Sequence, residues 1–150
     1  MKRLHIHLAV ENLQQNIEFY SMMFGCQPTV QHEDYAKWML DDPRVNFAIS
    51  NRSQQLGLDH LGIQADNEAE LQSIKKQLDA TQAPIEAQEG VACCYARSDK
   101  YWITDPQGIA WESFHSLNEI PTFNDKKAAS DGENPFACRP AENKQSSCCG

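Results

Sequence analysis

The chain has 150 residues, enough for one domain or for two small similar modules fused into one unit. Hydrophobic residues make up 41% and can build a core, while a net charge of -8 and no stripe of Lys and Arg exclude a nucleic-acid-binding surface. No apolar run reaches membrane-spanning length, and Leu4-His5-Ile6-His7-Leu8 breaks any signal-peptide core after Met1-Lys2-Arg3, so a cytoplasmic protein is expected.

Leu4 to Val10 alternates and predicts a strand, with His5 and His7 on one face and Ile6, Leu8 and Val10 on the other. Asn12 is placed to cap a helix carrying Leu13, Ile17, Tyr20 and Phe24, with Gly25 as its stop. Short strands follow at Pro28-Gln31, Ala36-Leu40 and Asn46-Ser50, so the first half reads βαβββ.

The second half repeats the order. Leu58-Asp59-His60-Leu61-Gly62-Ile63 reads as a strand. Asn67 and Glu70 have capping-box spacing before the apolar stripe Leu71, Ile74 and Leu78, which ends at Ala83-Pro84. Strands are expected around Pro84-Ala87, Ala92-Ala96 and Tyr101-Thr104, then Ile109-Phe114 after a type I turn at Asp105-Pro106-Gln107-Gly108. The expected organisation is α+β: a module of about 1–52, a second of about 57–117, and a flexible, cysteine-containing tail over 118–150.

Three potential metal ligands stand at matching points of the repeat. His5 lies in the first strand of one half, His60 in the first strand of the other, and Glu112 in the last strand of the second. Two imidazoles and a carboxylate with open positions suit a non-haem Fe(II) oxygenase. Val45 to Ser50, the corresponding last strand of the first half, has no carboxylate, so three protein ligands are expected. His7 shares a face with His5 and competes for the first-strand position; it is placed behind the ligands.

The six cysteines read as thiols for ligation or redox work more readily than as a disulfide framework. Cys93 and Cys94 are adjacent, and two thiolates side by side select a soft metal or metalloid. Small apolar strand filling is the competing reading of that pair. Neighbours on a regular strand point to opposite faces, so a shared ligand requires the backbone to bend there. Cys26 reads as a packing residue. Cys138, Cys148 and Cys149 lie in the expected tail.

With these residues in view, about Met1 to His115 resembles the vicinal oxygen chelate superfamily of glyoxalase, bleomycin-resistance and extradiol-dioxygenase proteins. The shared pattern is His5…Phe19-Tyr20…Gly25, then His60, then Asp105-Pro106-x-Gly108…Glu112. Tyr35-Ala36-Lys37-Trp38, Gly57-Leu58-Asp59-His60-Leu61-Gly62 and Cys93-Cys94-Tyr95-Ala96 look like its organoarsenical carbon–arsenic lyase branch, often labelled cadmium-induced protein. The resemblance implies paired βαβββ modules around a glyoxalase-like metal-binding cleft. It implies an enzyme that uses Fe(II) and O2 to demethylate trivalent organoarsenicals to arsenite. His5, His60 and Glu112 would hold the iron, Glu112 would be catalytic, and Cys93 and Cys94 would bind the arsenic. The modules can pair within one chain or between two, so a homodimer stays open. The alternatives are a non-catalytic thiol-based binder of cadmium or arsenic and another glyoxalase-fold metalloenzyme.

Overall fold

The computed structural model describes residues 1–93 and 95–119. Cys94 and residues 120–150, which include Cys138, Cys148 and Cys149, lie outside the described residues. The elements run β1 (Arg3–Ala9), α1 (Leu13–Phe24), β2 (Val30–Gln31), β3 (Tyr35–Asp41) and β4 (Arg44–Ser50). They continue as β5 (Gly57–Ala65), α2 (Glu68–Asp79), β6 (Glu86–Cys93), β7 (Ala96–Thr104) and β8 (Ala110–Glu119). All eight strands form one sheet in the order β2-β3-β4-β1-β5-β8-β7-β6. This is the α+β fold expected, two βαβββ runs in one sheet.

The order places the two runs symmetrically. β1 pairs with β4 in parallel, β5 pairs with β8 in parallel, and β1 and β5 meet antiparallel at the centre. Each parallel pair needs a crossover, and α1 and α2 begin those connections. The Asn12 side chain accepts from Gln15 N at 3.0 Å and opens α1. Gly25, at φ 68, closes it by donating to the Met22 carbonyl. Asn67 caps α2 in the same way through Glu70 N.

The two strand faces have different work. Ile6, Leu8, Trp38, Phe47 and Ile49 pack with Leu13 and Ile17 of α1, burying one apolar layer. Ala65 and Tyr101 pack with Leu71 and Ile74 of α2 in a second. Both helices therefore cover the same side of the sheet. The period of two sends His5, His7, His60 and Glu112 to the other side.

Several strand limits differ from the sequence expectation. The strands expected around Pro84-Ala87 and Ala92-Ala96 are joined in one, β6, over Glu86–Cys93, with a bulge between Gln88 and Val91 where Gly90 takes φ 60, while Ala96 opens β7. β7 starts at Ala96, well before Tyr101, and β8 runs to Glu119, past the module boundary expected at 117. Alternating Ser98, Lys100 and Trp102, all buried, shows why: a lysine in an inward position hid the period.

Candidate metal centre

One row of paired residues crosses the face away from the helices: Asn46 opposite His5, His5 opposite Gly62, Gly62 opposite Glu112, Glu112 opposite Trp102. The next row sets Ala48 opposite His7 and His7 opposite His60. Gly62 leaves the gap between His5 and Glu112 open. A Cβ there would stand 2.3 Å from the Glu112 carbonyl oxygen, nearer than any carbon can approach.

Into that gap point three donors. His5 Nε2 and His60 Nε2 are 3.1 Å apart. Glu112 Oε2 lies 3.7 Å from the first and 3.6 Å from the second. All three side chains are buried. The remaining ring nitrogens fix the tautomers. His5 Nδ1 donates to the Asn46 carbonyl at 3.1 Å, because a carbonyl only accepts. His60 Nδ1 donates to Asp59 Oδ1 at 2.7 Å. Both Nε2 atoms then face one spot, and they share it at this distance when a proton or a metal cation lies between them. Separations of 3.1 to 3.7 Å suit neighbouring corners around an ion with bonds of about 2.1 Å. The donor set fits a divalent transition metal.

The titration of these groups follows from their burial and their charge on one another. Burial and the charge on His60 push His5 down to about 3, so it stays neutral. Burial works against protonation of His60 as well, but the Asp59 hydrogen bond and the Glu112 carboxylate outweigh it and raise it to about 9. Burial opposes ionisation of Glu112, yet Lys100 and the two histidines hold its carboxyl well below the usual range. Lys100 Nζ stands 2.6 Å from Glu112 Oε1 and is itself buried, so that oxygen is engaged and Oε2 faces the histidines.

His7 does not join the three. Its Nε2 meets Ser50 Oγ at 3.0 Å, and its ring packs edge-on to His60 with centroids 4.9 Å apart. His7, Asp59 and His60 also lie close together, but Asp59 Oδ1 already accepts the His60 Nδ1 proton. Phe114 packs edge-on to His5 and Trp102 to His60, which walls the donors with rigid rings.

Cys93 is the last residue of β6, opposite Ala96, the first of β7. The chain thus reverses between Cys93 and Ala96, with Tyr95 at φ 64. Cys93 is buried against Tyr35 and Ala48 of the first half, which themselves adjoin His7, Tyr35 edge-on to its ring and Ala48 paired with it. Its sulfur is in a disulfide, against the expectation of a thiol there; Cys26 is free and exposed. Cys94 lies outside the described residues. Lys100, Asp59 and Asn46 were not singled out from sequence. A lysine two residues before a buried tryptophan and an aspartate beside the ligand histidine were their signals.

Among solved structures, an extradiol ring-cleaving dioxygenase from B. fuscum superposes with a TM-score of 0.58 at 14% identity. The match covers 79% of this chain and 33% of that one, and it establishes the fold. Among curated proteins, a trivalent organoarsenical cleaving enzyme of Bacillus sp. (strain MD1) is 40% identical over 80% of this chain and 76% of its own length. The cadmium-induced protein CadI of Mycobacterium bovis is 30% identical over 92% of this chain and 93% of its own length. With a family model matching residues 2–113, the chain belongs to the Glyoxalase/Bleomycin resistance protein/Dioxygenase superfamily.

Proposed function

We propose that the protein is an Fe(II)- and O2-dependent enzyme that cleaves the carbon–arsenic bond of trivalent organoarsenicals, releasing arsenite in the cytoplasm. The observation that carries this reading is the meeting of His5 Nε2, His60 Nε2 and Glu112 Oε2 on the sheet face that also buries Cys93. Two imidazoles and one carboxylate are the donors that non-haem Fe(II) oxygenases use. The similarity to the organoarsenical cleaving enzyme supplies the substrate class.

His5, His60 and Glu112 would hold the iron, which supplies a site for binding and activating O2. Lys100 keeps Glu112 to a single facing oxygen, leaving other positions open. Cys93 and Cys94 bind the substrate. Methylarsenite, CH3As(OH)2, exchanges two hydroxyls for two sulfurs, and each thiol proton leaves in a water molecule. The disulfide at Cys93 must therefore be reduced before substrate is held. Trivalent arsenic makes three bonds, so one carbon group and two sulfurs complete it. The hairpin then presents the carbon–arsenic bond to the metal, which supplies proximity. Atoms balance without a further reductant: CH3As(OH)2 and O2 give As(OH)3 and one formaldehyde.

The test is turnover. Reduced, Fe(II)-loaded protein with methylarsenite under air is expected to release arsenite with matching O2 uptake, and Glu112→Ala is expected to lower the rate at least about 100-fold. No arsenite from the intact protein overturns the reading. A thiol-based metal binder is the second reading, favoured by the similarity to CadI. It predicts that Glu112→Ala binds the arsenical and cadmium as the intact chain does, with no turnover in either.

A further inference from the structure

The register at the centre of the sheet relates the two halves by a twofold exchange. β1 and β5 pair with His5 opposite Gly62 and His7 opposite His60, so exchanging the halves sends His5 to His60 and His7 to Gly62. His5 and His60 are accordingly alike, each with Nε2 at the gap. The other two positions are not. Gly62 has no side chain, and the gap between His5 and Glu112 stays open over it. Its counterpart in the first half is an imidazole.

His7 is thus a fourth donor on the face that carries the other three. Histidines two residues apart on a strand share a face and can ligate one ion. The His7 ring lies close by: its centre is 6.4 Å from that of His5 and 4.9 Å from that of His60. Yet the ring is turned aside. Its Nε2 meets Ser50 Oγ at 3.0 Å. Ser50 ends β4 and lies diagonally across from His7, since His7 pairs with Ala48 and Ala9 with Ser50. Ala48 adds only a methyl group on that side, and Tyr35 flanks the ring edge-on at 6.1 Å between centroids. Both His7 and Ser50 are buried.

One atom is left over. His7 Nδ1 is buried and has no hydrogen-bond partner among the described residues. A buried imidazole ordinarily satisfies both nitrogens, and here one hydroxyl engages the ring. Take that hydroxyl away and both nitrogens lack a partner. An ion at the gap is then the nearest group that can take a lone pair.

We propose that Ser50 is a positioning residue: it holds His7, a fourth potential ligand, off the metal and so keeps a coordination position open. The inference rests on the metal centre of the proposed function and is independent of its substrate. Three protein donors leave room at the ion for substrate or O2, and a fourth takes up part of that room. The chain carries the donors of a closed site and, in Ser50, the contact that keeps the site open.

The experiment counts imidazoles on the ion. Co(II), a paramagnetic stand-in for Fe(II), is titrated into the full chain grown with isotope-labelled histidine, and the strongly shifted ring N–H resonances are read by NMR. The intact chain is expected to show two, from the Nδ1 protons of His5 and His60. Ser50→Ala is expected to show three and to bind Co(II) about tenfold more tightly, the scale on which residues around a metal ligand change affinity. His7→Ala in the Ser50→Ala background is expected to return both readings to those of the intact chain. Two resonances in Ser50→Ala, or three in the intact chain, overturn the proposal. Thermal melting checks that each variant is folded. Where Ser50→Ala does not fold, His5→Ala decides: with His7 able to replace the lost ligand two resonances persist, and one alone overturns the proposal. Absence of turnover with methylarsenite in the intact chain removes the proposed function and leaves the imidazole count standing.

Discussion

Asp59 and the Asn46 carbonyl serve the two histidines alike, each taking an Nδ1 proton so that Nε2 faces the gap. They differ in charge: both hydrogen bonds raise the basicity of their rings, and the carboxylate adds the attraction of a full negative charge. Asp59→Asn keeps an oxygen that can accept from His60 Nδ1 and removes the charge. It is expected to weaken Fe(II) binding about tenfold, measured by anaerobic titration calorimetry. The same substitution lowers the His60 titration from about 9, a shift that proton NMR of the ring reads directly. At this scale much of the site was legible. Equivalent strand positions marked His5, His60 and Glu112, and alternation put His5 and His7 on one face. Which of those two reaches the gap was not legible, because it depends on how β1 lies against β5. That pairing shifts between His7 and Leu8, and a shift of that kind leaves no mark in composition or period. The supporting residues were hidden for a related reason. Lys100 reads as a solvated cation until Glu112 is placed opposite its neighbour Trp102.

The strands carry the candidate site by register, so a fault in one pairing moves one of its three side chains. Gly62 is the tightest point, facing Glu112 across β5 and β8. Gly62→Ala places a carbon against the Glu112 carbonyl, which is backbone and cannot swing aside. The expected result is a loss of about 1–3 kcal/mol in urea unfolding, together with weaker Fe(II) binding because Glu112 is displaced. The helices were the most legible elements, since each is announced by an asparagine cap and an apolar stripe. The β6–β7 hairpin was the least. A bulge at Gly90 interrupts one strand, and inward-facing Lys100 disguises the other. Each effect comes from pairing partners distant in sequence, and local propensity cannot report them.

Across the whole molecule, three buried histidines on one face set the dependence of stability on pH. His5 and His7 have folded values below the ordinary 6.5, so folding resists their protonation. His60 has a folded value above it, so folding favours its protonation. Below pH 6.5 the unfolded chain binds two more of these protons than the folded one, and stability falls with acid. From pH 6.5 to about 9 the folded chain alone keeps the His60 proton, and stability falls as pH rises. Metal-free protein is expected to show its highest Tm near pH 6.5, with the steeper fall on the acid side. An ion between the two Nε2 atoms displaces the His60 proton, so Fe(II) is expected to flatten the alkaline limb of the same melting series.

The antiparallel meeting of β1 and β5 has a consequence for assembly. Those strands bring His5 and His60 face to face only in their native alignment, and a slip of one residue would turn either histidine toward the helices. An ion that bridges the pair binds that alignment and no other, and so lowers its free energy alone. An occupied centre would thereby disfavour misaligned joins of the seam between the two halves.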